Sequence, residues 1–323
     1  MGIINKNNSR GERGSISLFS LFFQKKRARR DIMNNKSLKK YFPIFVLPTL
    51  IAFVIAFVIP FVMGIYLSFC KFNTIRDAEW VGIKNYMTIF TEDKSFIEAL
   101  LRTTKFTILS VILINVGAFA LALLLTKKIP GTNFFRTIFF MPNLIGGIVL
   151  GYIWKETLDT ITRKVFHHPF TYSVKDYGFW GLLIVMCWQL MGYMMIIYIA
   201  GIQNIPEDVI EAAKIDGATP FQILYKITIP LVMPSVTICL FLTLSNSFKL
   251  YDQNYALNGN SSKTSLLAMD IYKTFYGASS YAEGRGQAKA VIFFLIVACI
   301  TFAQLRLTRS KAVSYTHLRA HET

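Results

Sequence analysis

Hydrophobic and polar residues fall along this chain in long blocks. Six windows of roughly 20 residues contain no Asp, Glu, Lys or Arg: Phe42–Phe69, Phe106–Thr126, Thr137–Trp154, Tyr177–Ile202, Ile227–Phe248 and Ala290–Leu305. As α-helices, blocks of that length cross about 30 Å of hydrocarbon. The pattern predicts an all-α, polytopic membrane protein with six transmembrane helices. Composition agrees: the 323 residues are 53% hydrophobic and 16% charged, with mean hydropathy +0.44, far from soluble averages.

The polar blocks set orientation. Residues 1–40 hold eleven Lys or Arg against Glu12 and Asp31, with QKKRARR just before the first span, which predicts a cytoplasmic N-terminus. Helix count then places Lys127, Lys128 and Arg136 inside, with Arg306, Arg309 and Lys311. The segment 71–102, with balanced charge, faces out. The loop between the fourth and fifth spans is placed inside by helix count alone, because Glu207, Asp208, Glu211 and Asp216 outnumber Lys214 and Lys226. Four regions are expected: a basic, disordered tail over 1–40, a first helix and outside loop over 41–95, a five-helix domain over 96–308, and residues 313–323. The last, VSYTHLRAHET, reads as a translated library adapter after a native end near Ala312, so His317, Arg319 and His321 enter no functional argument.

The net charge of +17 is concentrated in the tail, and no soluble domain presents a groove, so nucleic acid is excluded in favour of anionic lipid. Cys70, Cys187, Cys239 and Cys299 lack metal-site or disulfide spacing and read as small core residues. Adjacent His167 and His168 cannot make a metal site alone. No metal and no cofactor is expected on this chain.

The loop over 203–228 breaks the apolar pattern with a helix, a turn and a helix. Pro206 suits a first helical position, and Glu207 and Asp208 suit the positive end of a helix dipole. Gly217 is free to take the left-handed conformation that stops a helix. Thr219, Pro220 and Gln222 form a capping box, and the second helix runs through Phe221, Leu224 and Tyr225 to a kink expected at Pro230. A helix that merely lies on lipid would carry a basic polar face. This one is acidic, which favours a protein partner with basic or apolar pockets.

The spacing Glu-Ala-Ala, three residues, Gly, nine residues, Ile-x-x-Pro at Glu211, Ala212, Ala213, Gly217, Ile227 and Pro230 resembles the cytoplasmic signature of permeases of binding-protein-dependent ABC importers. Ile229 replaces a common leucine. Further likeness runs through YFPIFVLPTLIAFVIAFVIPFVMGIYLSF, WVGIKNYMTIF at Trp80–Phe90, FFRTIFFMPN at Phe134–Asn143 and GQAKAVIFFLIVACITFAQLRLTRSK at Gly286–Lys311. These resemble carbohydrate permeases of the maltose type, specifically the first of two permease subunits. NGNSSKT at Asn258–Thr264 replaces a Gly-Gly-Pro turn, and the first outside loop lacks the folded insertion of some relatives.

The resemblance implies a type I importer permease fold. It also implies a second permease subunit, two ATP-binding subunits and an extracytoplasmic sugar-binding protein. The 203–228 loop would then be the coupling helix, with Glu211, Ala213 and Gly217 as contact core beside Ala212, Asp216, Ile227 and Pro230. ATP and Mg would be used by the partner ATPase.

The six windows hold no carboxylate or histidine to relay protons, which leaves an external engine, or sodium coupling through backbone carbonyls, to drive uphill transport. Their neutral polar residues, Asn143, Gln189, Tyr193, Asn246 and Ser247, with Tyr251 and Gln253 just beyond, suit a hydroxyl-rich solute. By resemblance, Tyr193 falls at a sugar contact of a maltose-type relative and Ser247 near a second. The same residue types also join helices by hydrogen bonds. An intramembrane enzyme is disfavoured, since the chain carries no HExxH, GxSxG or phosphate-cradling loop. A lone carrier would leave the acidic insert without a role.

Overall fold

The computed structural model describes residues 36–127, 130–167, 170, 177–259, 261, 263–277 and 282–320, with the side chains of 36–40, 166 and 309–320 not described. The expected disorder of residues 1–35 and the position of His168 lie outside the described residues, whereas residues 36–40, expected in the disordered tail, are helical. The chain divides into two units, 1–63 and 64–323.

In the first unit, α1 (Lys36–Phe53) leads through a π-helical turn at Val54–Val58 into α2 (Ile59–Leu67), which continues past the unit boundary. The span Tyr41–Leu67 is apolar on every side, with Phe53, Phe57 and Phe61 stacked along it at 5.3 and 6.2 Å. Such a helix is stable only in lipid or against another apolar surface. The π turn ends where Ile59 N–H donates to the Val54 carbonyl, just before Pro60. Pro60 has no N–H and its ring would meet the carbonyl four residues back, so a wider turn relieves the clash.

The second unit opens with a two-stranded hairpin, β1 (Cys70–Lys71) against β2 (Glu79–Trp80). Buried Asn85 donates to the Ser68 and Cys70 carbonyls at 2.9 Å each, fastening α3 (Lys84–Thr91) to the hairpin. Then follow α4 (Lys94–Leu125), α5 (Thr132–Phe140), α6 (Gly147–Phe166) and α7 (Tyr177–Gln203). The core forms where α4, α7 and α11 (Met233–Phe248) meet, around Phe106, Ile114, Ala118, Met194, Tyr198 and Cys239. Polar groups also join these helices: Tyr198 Oη donates to Asn115 Oδ1 at 2.8 Å, and Asn115 Nδ2 to Thr243 Oγ1 at 3.3 Å. Buried hydrogen bonds of this kind lock helix rotation where lipid supplies no hydrophobic drive. At Gly192, α7 passes so close to the end of α5 that a Cβ would overlap the Phe139 carbonyl.

Among the described residues, four continuous helices are long and apolar enough to cross a membrane, and two bent pairs bring the number to six if each pair is one span. The bent pairs are the third and fifth windows, of which only the fifth carries an expected kink. The third turns by 100° between Thr132–Leu144 and Gly147–Val165. Pro142 turns Met141–Leu144 into a 3-10 segment, Ile145 is extended, and Gly146 and Gly147 follow without side chains to resist the bend. Beyond it, α6 carries Lys155, Glu156, Asp159, Arg163 and Lys164, so its second half is polar. The fifth bends by 68° at Val232 rather than at Pro230. Pro234 withholds the donor that would reach the Pro230 carbonyl, while Val232 N–H keeps its bond to the Thr228 carbonyl at 3.0 Å, so the ladder breaks just after Val232.

At the end remote from the 203–228 loop, α12 (Asp252–Asn258) and α13 (Leu267–Tyr276) pack near the first residues of α7 and α4, and α14 (Glu283–Ala320) begins. This last span starts at Glu283, not Ala290, and takes in Glu283, Arg285 and Lys289. The absence of carboxylates therefore holds for the window and not for the whole helix. Lys289 is 1% exposed and bridges Asp93 and Asp270 at 2.7 Å each, with Thr274 Oγ1 at 2.8 Å. Ser95 Oγ donates to Asp93 Oδ1 at 2.7 Å and Asp270 Oδ1 at 2.9 Å. Three elements are thereby tied to one buried cation. Cys70 and Cys239 are buried and Cys187 half-buried, whereas Cys299 lies exposed on α14, so the core reading fails for that cysteine.

Candidate functional site

The coupling-loop candidate is built by local rules. Helix α8 (Glu207–Ile215) carries Glu207 and Asp208 in its first turn and Lys214 in its last, each complementing the helix dipole. Pro206 sits at the N-cap, one position before that expected. Gly217, at φ 76°, stops the helix. Ala218 N–H reaches the Ala213 carbonyl at 2.9 Å and Gly217 N–H the Lys214 carbonyl at 3.1 Å, the paired bonds of a Schellman cap. The predicted capping box at α9 (Pro220–Ile223) is present: Thr219 N–H donates to Gln222 Oε1 at 2.7 Å and Gln222 N–H to Thr219 Oγ1 at 3.3 Å. A π turn at Leu224–Thr228 follows, closed by Ile229 N–H on the Leu224 carbonyl before α10 (Ile229–Leu231) and Pro230.

Burial divides this segment into a root and a free face. Ile205 and Thr228 are buried and Ile210 packs on the core cluster, so both stems are anchored. Glu211, Ala212, Asp216 and Gly217 are exposed, Ala213 half-buried, and Ile227 and Pro230 half-buried in the return stem. Nothing stands within 4 Å of a Cβ placed on Gly217. Ile215 at 86% exposure and the stacked pair Phe221 and Tyr225 add an apolar rim to this acidic face. Ile215 is a contact candidate that the spacing argument does not single out. The signal for it is its position just before the helix stop.

Of the solute-path candidates, the structure brings Gln189, Asn246, Tyr251 and Gln253 into one cleft of about 280 Å³, with Gly147, Met186, Lys249 and Asp252 also in its wall. Gln189 Nε2 donates to the Ile145 carbonyl at 3.0 Å, across the bend of the third span, and Gln253 Nε2 donates to Gln189 Oε1. Two other candidates lie elsewhere. Ser247 is fully buried and donates to the Thr243 carbonyl at 2.8 Å, and Tyr193 packs on Phe140 with ring centroids 6.4 Å apart. Asn143 is half-buried in the 3-10 segment.

Three comparisons bear on this arrangement. Residues 119–313 match the family described as "Binding-protein-dependent transport system inner membrane component". The chain is 43% identical over 279 residues to a protein of Thermoanaerobacterium thermosulfurigenes named "Probable starch degradation products transport system permease protein", covering 84% of this chain and 94% of the relative. It is 27% identical to a multiple sugar-binding transport system permease protein of Streptococcus mutans, covering 85% and 97%. Its fold matches a chain from the crystal structure of a bacterial ABC transporter involved in the import of the acidic polysaccharide alginate. The TM-score there is 0.72 at 20% identity, covering 85% and 98%. The chain therefore belongs to the inner membrane components of binding-protein-dependent transport systems, with the fold of an ABC importer permease.

Proposed function

We propose that this chain is the permease subunit of an ATP-driven importer of mono- or oligosaccharides, with its N-terminus in the cytoplasm. It forms half of a translocation pore beside a second permease, and couples to ATP-binding subunits through Glu211, Ala212, Ala213, Asp216, Gly217, Ile227 and Pro230. An extracytoplasmic binding protein delivers the solute. ATP and Mg act on the partner ATPase, and this chain holds no cofactor. The observation that carries the reading is the doubly capped, exposed turn at Gly217, whose stems are rooted in the helices that line the core. A rigid element of this kind transmits a partner's closure as a rigid-body movement rather than absorbing it. The sugar assignment is supported by the names of the relatives and by the neutral amides and phenol of the cleft.

Tyr193, Ser247, Asn246, Gln189 and Tyr251 remain the solute-path residues of this proposal. The last two, with Asn246, wall the cleft, and Tyr193 and Ser247 act only if the pore opens between helices that are packed here.

Uptake of labelled oligosaccharide by proteoliposomes containing the assembled transporter tests the reading, with Gly217→Leu as the variant. Expected is ATP-dependent uptake by the parent and loss in the variant while the subunits still copurify. Uptake without an ATPase would establish a lone carrier, and undiminished uptake in the variant would remove the coupling role.

A further inference from the structure

Four tyrosines meet at the end of the fold remote from the coupling loop. Tyr251 and Tyr255 are one turn apart at the start of α12, and Tyr272 and Tyr276 one turn apart on α13. Ring centroids lie 5.9 Å apart for Tyr251 and Tyr255, 4.9 Å for Tyr251 and Tyr272, 6.2 Å for Tyr255 and Tyr272, and 4.6 Å for Tyr272 and Tyr276. Two helices thus share one continuous aromatic surface. Exposure rises along it: Tyr251 walls the cleft, Tyr272 and Tyr255 are 37% and 39% exposed, and Tyr276 is 77% exposed. Rings gathered only to fill a core would be hidden, yet three of these four keep a large share of their surface.

The inner end of this surface carries an unmet hydrogen bond. Gln253 is 3% exposed and spends its amide N–H on Gln189, while its Oε1 has no partner. Leaving a buried carbonyl oxygen unpaired costs about 1–3 kcal/mol. A ligand hydroxyl in the cleft would satisfy it. Burial and a hydrogen bond with Tyr272 raise the pKa of the Tyr251 phenol, which lines the same cleft and in its neutral form both donates and accepts.

We propose that Tyr276, Tyr272, Tyr255 and Tyr251 form a stacking track that takes a saccharide of two or more rings from the exposed end of the fold and passes it to the Gln189 and Gln253 cleft. The inference rests on the importer reading above. A sugar ring offers a C–H face to an aromatic ring and hydroxyls to its phenol edge, and each such contact is individually weak. Closely spaced weak sites let the next ring engage before the last lets go, so the chain advances without being trapped. A monosaccharide touches one step at a time and gains little from the track, which makes it selective for length.

The test is uptake by the assembled transporter of labelled α-1,4-linked glucose oligomers of increasing length, since a relative's name includes starch degradation products. Tyr276→Ala and Tyr272→Ala should raise KM for oligomers about 2–10-fold with maximal rate retained. Glucose KM should stay unchanged, and Tyr276→Phe, which keeps the ring, should behave as the parent. Unchanged oligomer KM in both alanine variants overturns the track. So does loss of the second permease on purification of either variant, which would mark the tyrosines as a subunit contact. A parent complex with no ATP-driven uptake of any oligomer overturns the importer reading, and the track with it.

Discussion

The two ends of the second unit are held by different means. At the coupling-loop end every determinant lies within Pro206–Pro234: an N-terminal pair of carboxylates, a Schellman cap at Gly217, a capping box at Thr219 and two prolines around a bend. At the other end, Asp93, Asp270 and Lys289 come from three separate elements, Gln189 meets Gln253, and Tyr251 meets Tyr272. The first end keeps its shape with little burial, as a surface that must meet a partner requires. The second is fixed by a buried charge and shared side-chain contacts, so its parts hold or fail together.

This contrast predicts a graded set of outcomes. Lys289→Met leaves Asp93 and Asp270 without their cation, and losing one partner of a buried ion pair costs about 3–5 kcal/mol. The expected result is loss of monodisperse protein in detergent-solution chromatography, with partial recovery on adding Asp270→Asn. Stability equal to the parent would show that the triad holds nothing. Gly192→Ala forces α5 away from α7 and should cost about 1–3 kcal/mol, read as a lower thermal midpoint in tryptophan fluorescence.

At the loop, Thr219→Ala removes one half of a capping box, a loss of about 1 kcal/mol. Hydrogen exchange should quicken at residues 219–225 while the midpoint of the whole chain moves little. A large global shift would mean that the loop shares the cooperativity of the core.

The smallest effect concerns acid. Burial alone would raise the Asp93 pKa, but the Lys289 and Ser95 hydrogen bonds and the Lys289 charge outweigh it and hold it below its ordinary 3.8. With the folded value depressed, this carboxylate's contribution is complete above the unfolded pKa and fades as pH falls through the folded one. The thermal midpoint should be level down to about pH 5 and decline below about pH 4. Asp93→Asn should flatten that acid limb, and an unaltered limb would place its cause elsewhere.

The same division explains what the sequence reveals. Thr219 with Gln222, and Gly217 between two polar helix ends, are signals a few residues long, so the capping box and the positive φ are legible from the order of residues alone. The count of apolar blocks is equally plain. Their straightness is not, because the 100° bend depends on Pro142 and on two glycines inside an otherwise apolar run, and hydropathy ignores all three. Lys289 reads as the polar edge of a helix, since its acidic partners stand 19 and 196 positions away, where no periodicity connects them. Asn246 and Gln189 are legible as polar residues in apolar spans, but the cleft that joins them depends on how four helices meet.

Two places carry the same device: the π turns at Val54–Val58 and Leu224–Thr228 each close on the residue before an Ile-Pro proline. Each turn holds one residue more than an α-helical path requires, and one residue is about 100° of rotation. In the return stem of the coupling loop, that extra residue fixes the azimuth at which Phe221 and Tyr225 project relative to α11. The bearing of the partner-facing surface is thus written as a count rather than as a contact. Removing a single residue between 224 and 228 would leave composition and hydropathy almost untouched while swinging that surface to a new compass point.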